Sequence, residues 1–178
     1  MKTLYTDASF DWTHTQATSE NVVRGKIAIA DGDTLKKVEQ VVIGKVEGLK
    51  QYINIFELIA IARAVELAYD MDIPDKQLEI FTDSQVAMWW ARNGIKNKEI
   101  ITDAHSHTLD YLKRMMLDFE GAITFNFVPR GHNPAGILLQ AELDSGKKPH
   151  EVNCLRCNNN GCPACDGTKG SKYNPEPY

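Results

Sequence analysis

No stretch of the 178-residue chain approaches the roughly 18 consecutive apolar residues of a membrane span. The start, MKTLYTDASF, has no apolar run of the kind that directs secretion. These absences lead to the expectation of a cytoplasmic protein with no membrane partner. Cysteine is absent before Cys154, and all four cysteines lie between Cys154 and Cys165. In a reducing compartment such a cluster is expected to bind metal rather than form disulfides. A positive excess is missing too. The formal net charge is −4, so any nucleic-acid site has to be a local patch or a metal centre. What remains, 43% hydrophobic and 25% charged residues, is the composition of a globular domain. The length allows one well-buried domain and a small appendage.

Residues 2–9 read as a strand, followed by a polar loop from Asp11 to Asn21. VVRGKIAIADGD and KKVEQVVIGKVEG predict two strands joined by a turn at Asp31-Gly32-Asp33. The pattern is helical from Asn54 to about Asp70, ending before Pro74, which forbids continuation. QLEIFTD is a short strand. Ser84 can cap a helix through SQVAMWWARNG, which Gly94 closes. A longer helix is predicted from Ile100 to about Phe119, a fifth strand in AITFNFVPR, and a last short helix in NPAGILLQAEL. This order predicts an α/β fold. Three antiparallel strands are followed by two parallel ones in a five-stranded mixed sheet flanked by helices. After Ser145-Gly146 the composition loses its large apolar residues. The expected division is therefore a domain of residues 1–146 and a tail of residues 147–178 that something other than a core must hold.

Two stretches share a motif. LYTDASF and EIFTDSQ each carry an aromatic residue, Thr, Asp and a small residue at the same place in a strand. In the helix from Asn54, Arg63, Glu66 and Asp70 share one face, whereas Glu57 aligns with Ile61, Ala64 and Ala68 and points inward. An inward carboxylate without a partner costs several kcal/mol, roughly. A basic side chain or a metal ion would remove that cost. Asp7, Glu57 and Asp83 then form a set. Crowded carboxylates repel unless cations neutralise them, and hard oxygen ligands favour Mg²⁺ or Mn²⁺. Two such ions about 4 Å apart can activate a water and stabilise a leaving oxygen in phosphodiester cleavage. A single Asp at a strand end is usually a turn or cap residue. Three acids in strand–helix–strand order, two of them in matching contexts, argue for the metal site.

On these motifs, YTDAS, NIFELIAIARAVELA and IFTDSQ, the chain resembles the type 1 ribonucleases H over roughly residues 1–145. The resemblance implies the ribonuclease H-like fold. It also implies endonucleolytic hydrolysis of the RNA strand of an RNA–DNA hybrid with two Mg²⁺ (or Mn²⁺) ions per active site. Asp7, Glu57 and Asp83 match the family's first three metal-binding carboxylates. Asn54 matches an asparagine that contacts the hybrid backbone, Ser84 and Gln85 complete the TDSQ motif, and Asn97 matches the polar residue of a KN-x-D-L segment. Ser9, within YTDAS, joins this substrate-binding set.

Two departures follow. The family's fourth carboxylate opens the last helix, where HNPAGILLQ places Gly136. Glu142, Asp144 or His132 would have to serve instead. His132 also matches the mobile histidine of the family's GH loop, which helps product leave, and a plain surface histidine is the bland alternative. The family's basic protruding handle is missing. Arg92, Lys96 and Lys98 leave only a small positive patch, and of adjacent Trp89 and Trp90, which offer a stacking surface, one is expected in the core.

The tail CLRCNNNGCPACDG has spacing C-x2-C-x4-C-x2-C. Cys154, Cys157, Cys162 and Cys165 can satisfy tetrahedral Zn²⁺, with an iron–sulfur cluster as the alternative. The segment is similar to zinc knuckles, and bound metal would supply its folding free energy. Arg156, Lys169, Lys172 and Tyr173 would contact nucleic acid if the tail replaces the handle; a structural clip or a protein-docking module are the other expectations. Three functions remain in play: a ribonuclease acting on hybrids as a monomer, a nuclease of this fold with another substrate, and a catalytically silent binding module.

Overall fold

Alternation in the first strand sets the architecture. Leu4, Thr6 and Ala8 are buried, while Tyr5 stacks on Phe81 across the neighbouring strand with ring centroids 5.4 Å apart. The computed structural model describes residues 1–11, 21–46, 49, 52–96 and 102–145. The strands are β1 (Lys2–Phe10), β2 (Val22–Ala30), β3 (Lys36–Gly44), β4 (Gln77–Thr82) and β5 (Ala122–Phe127). The helices are α1 (Ile53–Tyr69), α2 (Gln85–Asn93), α3 (Asp103–Asp118) and α4 (Pro134–Asp144), with a 3₁₀ turn at Arg130–His132. The sheet order is β3-β2-β1-β4-β5. β1 pairs antiparallel with β2, β2 with β3, and β4 and β5 add in parallel. This is the mixed sheet predicted from the sequence.

Local chemistry explains the elements. Asp31 Oδ1 accepts from the backbone N–H of Asp33 and Leu35 at 2.9 Å each, and Gly32 supplies φ +82 in the β2–β3 turn. Lys2 adds an ion pair to Asp31 at 2.7 Å, holding that carboxyl down at about 2. α1 buries ten of its seventeen residues. It packs on β1 and β4 through Leu58, Ile61 and Val65, and on β2 through Ile55 and Phe56. Small residues let it lie close: a Cβ on Gly25 would stand 2.5 Å from the Ser9 carbonyl and 2.8 Å from the Phe56 ring. Only glycine fits between strand and helix there. Edge strand β3 carries Lys36, Lys37 and Glu39, charges that discourage further pairing.

The chain divides into two compact units, Met1–Leu139 and Gln140–Tyr178. Of the second, the described residues are the closing turns of α4 and Ser145. Asn97, Lys98 and the cysteine tail with its basic residues lie outside the described residues. Among the described residues no helix is long and apolar enough to cross a membrane.

Candidate metal centre

The duplicated Thr-Asp motif has a geometric meaning. In the parallel β1–β4 pair Thr6 stands opposite Thr82, so Asp7 and Asp83 follow side by side. The Asp7 carboxylate does not end its strand. β1 runs on to Phe10 paired with β2, whereas β4 stops at Thr82. Glu57 reaches the same place from the first half of α1. One carboxylate oxygen from each of Asp7, Glu57 and Asp83 lies within 4.8 Å of the others. Among the described residues these three form the one group of His, Cys, Asp or Glu so assembled.

The centre is largely dry. Asp7 is 6% exposed, Glu57 5%, and Asp83 is half-buried. Burial raises the Glu57 carboxyl well above its ordinary value, and the charges of Asp7 and Asp83 add to this. Burial also pushes Asp7 up to about 6, with Asp83 adding to the shift. The Ala8 N–H, the Arg130 guanidinium and a hydrogen bond with Glu57 pull it back. Asp83 is raised by burial and pulled down by Arg130. Each of the three carboxyls is thus held above its ordinary value, Glu57 most fully buried among them. Even so, Glu57 Oε2 is buried with no hydrogen-bond partner. An unpaired buried carboxylate oxygen costs about 1–3 kcal/mol or more, and a divalent cation would satisfy it. The donor set is all hard oxygen, and Mg²⁺ or Mn²⁺ fits it.

Two residues that no local sequence pattern singles out hold this centre. Asn133 is fully buried; its Nδ2 donates to the Thr6 carbonyl at 3.0 Å, and its Oδ1 accepts from the Ala135 N–H at 3.1 Å. It ties the strand just before Asp7 to the first turn of α4. Asn-Pro marks only an N-cap residue before a proline at the first helical position. Arg130, in the 3₁₀ turn after β5, places the positive charge that acts on both Asp7 and Asp83. The turn is brought there by the Val128 N–H donating to the Thr82 carbonyl at 3.0 Å, beside Asp83.

The other predicted residues fall as follows. Ser84 is the N-cap of α2, accepting from the Ala87 N–H at 3.2 Å. Gln85 is exposed beside it, Asn54 is half-buried in the first turn of α1, and Ser9 is half-buried near the end of β1. Gly136 lies at the centre: a Cβ on it would stand 3.1 Å from Asp7 Oδ2. His132 is exposed on the 3₁₀ turn and does not join the converging carboxylates. Glu142 and Asp144 occupy the last turns of α4, where Asp144 accepts from Gln140 Nε2 at 2.8 Å. The positive patch is reduced. The Arg92 guanidinium donates to the Phe125 carbonyl, and Lys96 lies over the Trp89 ring, 5.4 Å from its centroid. Trp90 is buried at 8% and Trp89 is 42% exposed. With Gln85, Val86, Met88 and Phe127 the two indoles line a cavity of about 480 Å³.

No protein-family model matches the chain, and no curated protein matches it. Solved structures do. The chain is similar to the ribonuclease H1 of the halophilic archaeon Halobacterium salinarum NRC-1, at 18% identity and TM-score 0.52 over 81% of this chain and 98% of that one. It is similar also to LC11-RNase H1, isolated from compost by a metagenomic approach, at 18% identity and TM-score 0.54 over 82% and 97%. A structure of LC11-RNase H1 in complex with an RNA/DNA hybrid matches at 17% identity and TM-score 0.52 over 82% and 99%. At this identity the likeness is one of architecture, and the chain has the ribonuclease H-like fold.

Proposed function

We propose that the chain is a metal-dependent endonuclease that hydrolyses the RNA strand of RNA–DNA hybrids. The observation that carries this is the meeting of Asp7, Glu57 and Asp83 within 4.8 Å around an unpartnered Glu57 oxygen. It is supported by the shared fold of LC11-RNase H1, a protein solved with a bound RNA/DNA hybrid. Asp7, Glu57 and Asp83 would hold Mg²⁺ or Mn²⁺. When bound, a pair of such ions lowers the pKa of an attacking water and neutralises charge on the leaving oxygen.

The chain's own residues supply the rest. Asn133 fixes Asp7 by holding the Thr6 carbonyl, and the Ser84 cap fixes the turn that carries Asp83. Arg130 attracts a substrate phosphate to the mouth of a centre otherwise lined with acids. Asn54, Gln85, Ser84, Ser9 and Asn97 would hydrogen-bond the substrate strands. His132, exposed beside Arg130, can carry a proton away from the site or release product. Hybrids are recognised by shape and by the 2′-OH, not by base sequence. In this reading residues 1–146 are the catalytic domain, and Cys154, Cys157, Cys162 and Cys165 hold Zn²⁺ in a tail that grips nucleic acid or a protein. The whole acts as a monomer.

One observation favours a second reading. Gly136 offers no side chain where it meets Asp7, which would suit a module that binds hybrids without cutting them. Incubation of end-labelled hybrid, double-stranded DNA and double-stranded RNA with the protein in Mg²⁺ or Mn²⁺ separates the two. The expected result is cleavage of the hybrid's RNA strand alone, abolished by Asp7→Asn with hybrid affinity retained. Tight hybrid binding with no cleavage in either metal would establish the silent module.

A further inference from the structure

The helix that carries Asn54 and Glu57 begins without the usual fastening. Its N-cap position holds Tyr52, which makes no side-chain cap bond, and its first turn has no acid. The Tyr52 carbonyl accepts from the Ile55 and Phe56 N–H groups at 3.0 and 3.2 Å. The phenol is engaged elsewhere. Its hydroxyl accepts from the Val46 N–H at 2.9 Å and donates to the Val46 carbonyl at 3.1 Å, just past the end of β3. The ring is fully buried with Val23, Ile27, Ile55 and Phe56, and lies tilted to Phe10 with centroids 6.2 Å apart. A phenylalanine would fill that space equally well. What the hydroxyl adds is placement: one buried side chain joins the exit of β3 to the start of α1, and half-buried Asn54 follows directly in the first turn.

We propose that Tyr52 is a positioning residue for substrate: its clasp on Val46 fixes the first turn of α1, and with it the placement of Asn54 against the backbone of a bound hybrid. This rests on the proposed function and deepens it, since hybrid affinity then depends on a buried hydroxyl that no substrate touches. Glu57 stands a turn further along, where the buried Ile55, Phe56, Leu58 and Ile61 hold the helix in place. Loss of the clasp should therefore weaken binding and spare the chemical step.

The test pairs amide hydrogen exchange with steady-state kinetics on the full chain. In the free protein the Val46 amide should exchange slowly, and Tyr52→Phe should speed exchange at Val46, Ile55 and Phe56. On labelled hybrid with Mg²⁺, Tyr52→Phe should raise KM about fivefold or more, the size of one lost hydrogen bond, and keep kcat within about twofold. Asn54→Ala should raise KM too. Adding Tyr52→Phe to it should then change KM by less than about twofold, because both act through one contact. Tyr111→Phe is the control: it removes a phenol hydroxyl from Glu66, further along the same helix, and should lower the melting temperature without moving KM. If the chain binds hybrid without cutting it, the dissociation constant takes the place of KM. A rapidly exchanging Val46 amide in the wild type would overturn the assignment, whether or not the variant folds. So would an unchanged KM in Tyr52→Phe, or effects that add fully in the double variant; either would make the phenol a structural group alone. A wild type that neither binds nor cuts the hybrid would remove the proposed function, and this assignment with it.

Discussion

Glu57 is the residue on which the site turns. A carboxylate 95% out of water is tolerated only where something repays its desolvation, and here one of its oxygens has no partner. Its inward direction was legible in the heptad-like alignment with Ile61, Ala64 and Ala68, all buried. Asn133 was not legible in the same way. Its partner at Thr6 is 127 positions away, and no local pattern announces a bond of that span. The bare chain should be strained by its own acids. Asp7 is pushed up to about 6 from an ordinary 3.8, so between those values the folded chain holds a proton the unfolded chain has lost. That contribution fades as pH rises through 6. Asp7→Asn removes the repulsion, and at pH 7.5 it should stabilise the metal-free protein by on the order of 1–3 kcal/mol in urea denaturation. The same variant should lose the stabilisation that Mg²⁺ gives the wild type.

Elements show where sequence patterns suffice. The two Thr-Asp strands, the α1 amphipathicity and the Ser84 cap were all readable because each rests on contacts within a few residues. The sequence pattern predicts the start of α3 at Ile100, whereas the described helix begins at Asp103 under a Thr102 cap. The reason is a capping box with an unusual member. His105, not Glu or Gln, occupies the third position, and its Nδ1 accepts from the Thr102 N–H at 3.1 Å. The imidazole is 3% exposed and edge-on to Trp90 at 5.3 Å. Burial holds it below the ordinary 6.5. The cap therefore needs the neutral ring: its contribution is complete above pH 6.5 and is lost as pH falls through the depressed value. Thr102→Ala should cost about 1 kcal/mol of stability at pH 7.5, and less once the pH has fallen through the depressed value of the ring.

At the scale of the molecule the two pH effects oppose each other, and on the proposed function a divalent cation would tip the balance. Protons and Mg²⁺ would compete for the same three carboxylates. Addition of Mg²⁺ should raise the melting temperature clearly at pH 7.5 and little at pH 5, a contrast that differential scanning fluorimetry can follow. An unchanged increment across that range would mean that the ion binds elsewhere. With a net charge of −4 and few free basic side chains around α2, attraction of a polyanion falls to Arg130 and to bound cations. On the proposed function, this is why composition alone carries no sign of a nucleic-acid partner. It also leaves the exposed Trp89 face as a place for stacking and not for charge.

The most direct test is anomalous diffraction from a crystal soaked in Mn²⁺. The account predicts a strong peak at bonding distance, about 2.2 Å, from oxygens of Asp7, Glu57 and Asp83 together, with Glu57 Oε2 among the ligands. A soaked crystal whose manganese peaks all lie away from this trio, with the three side chains placed as described, would contradict it.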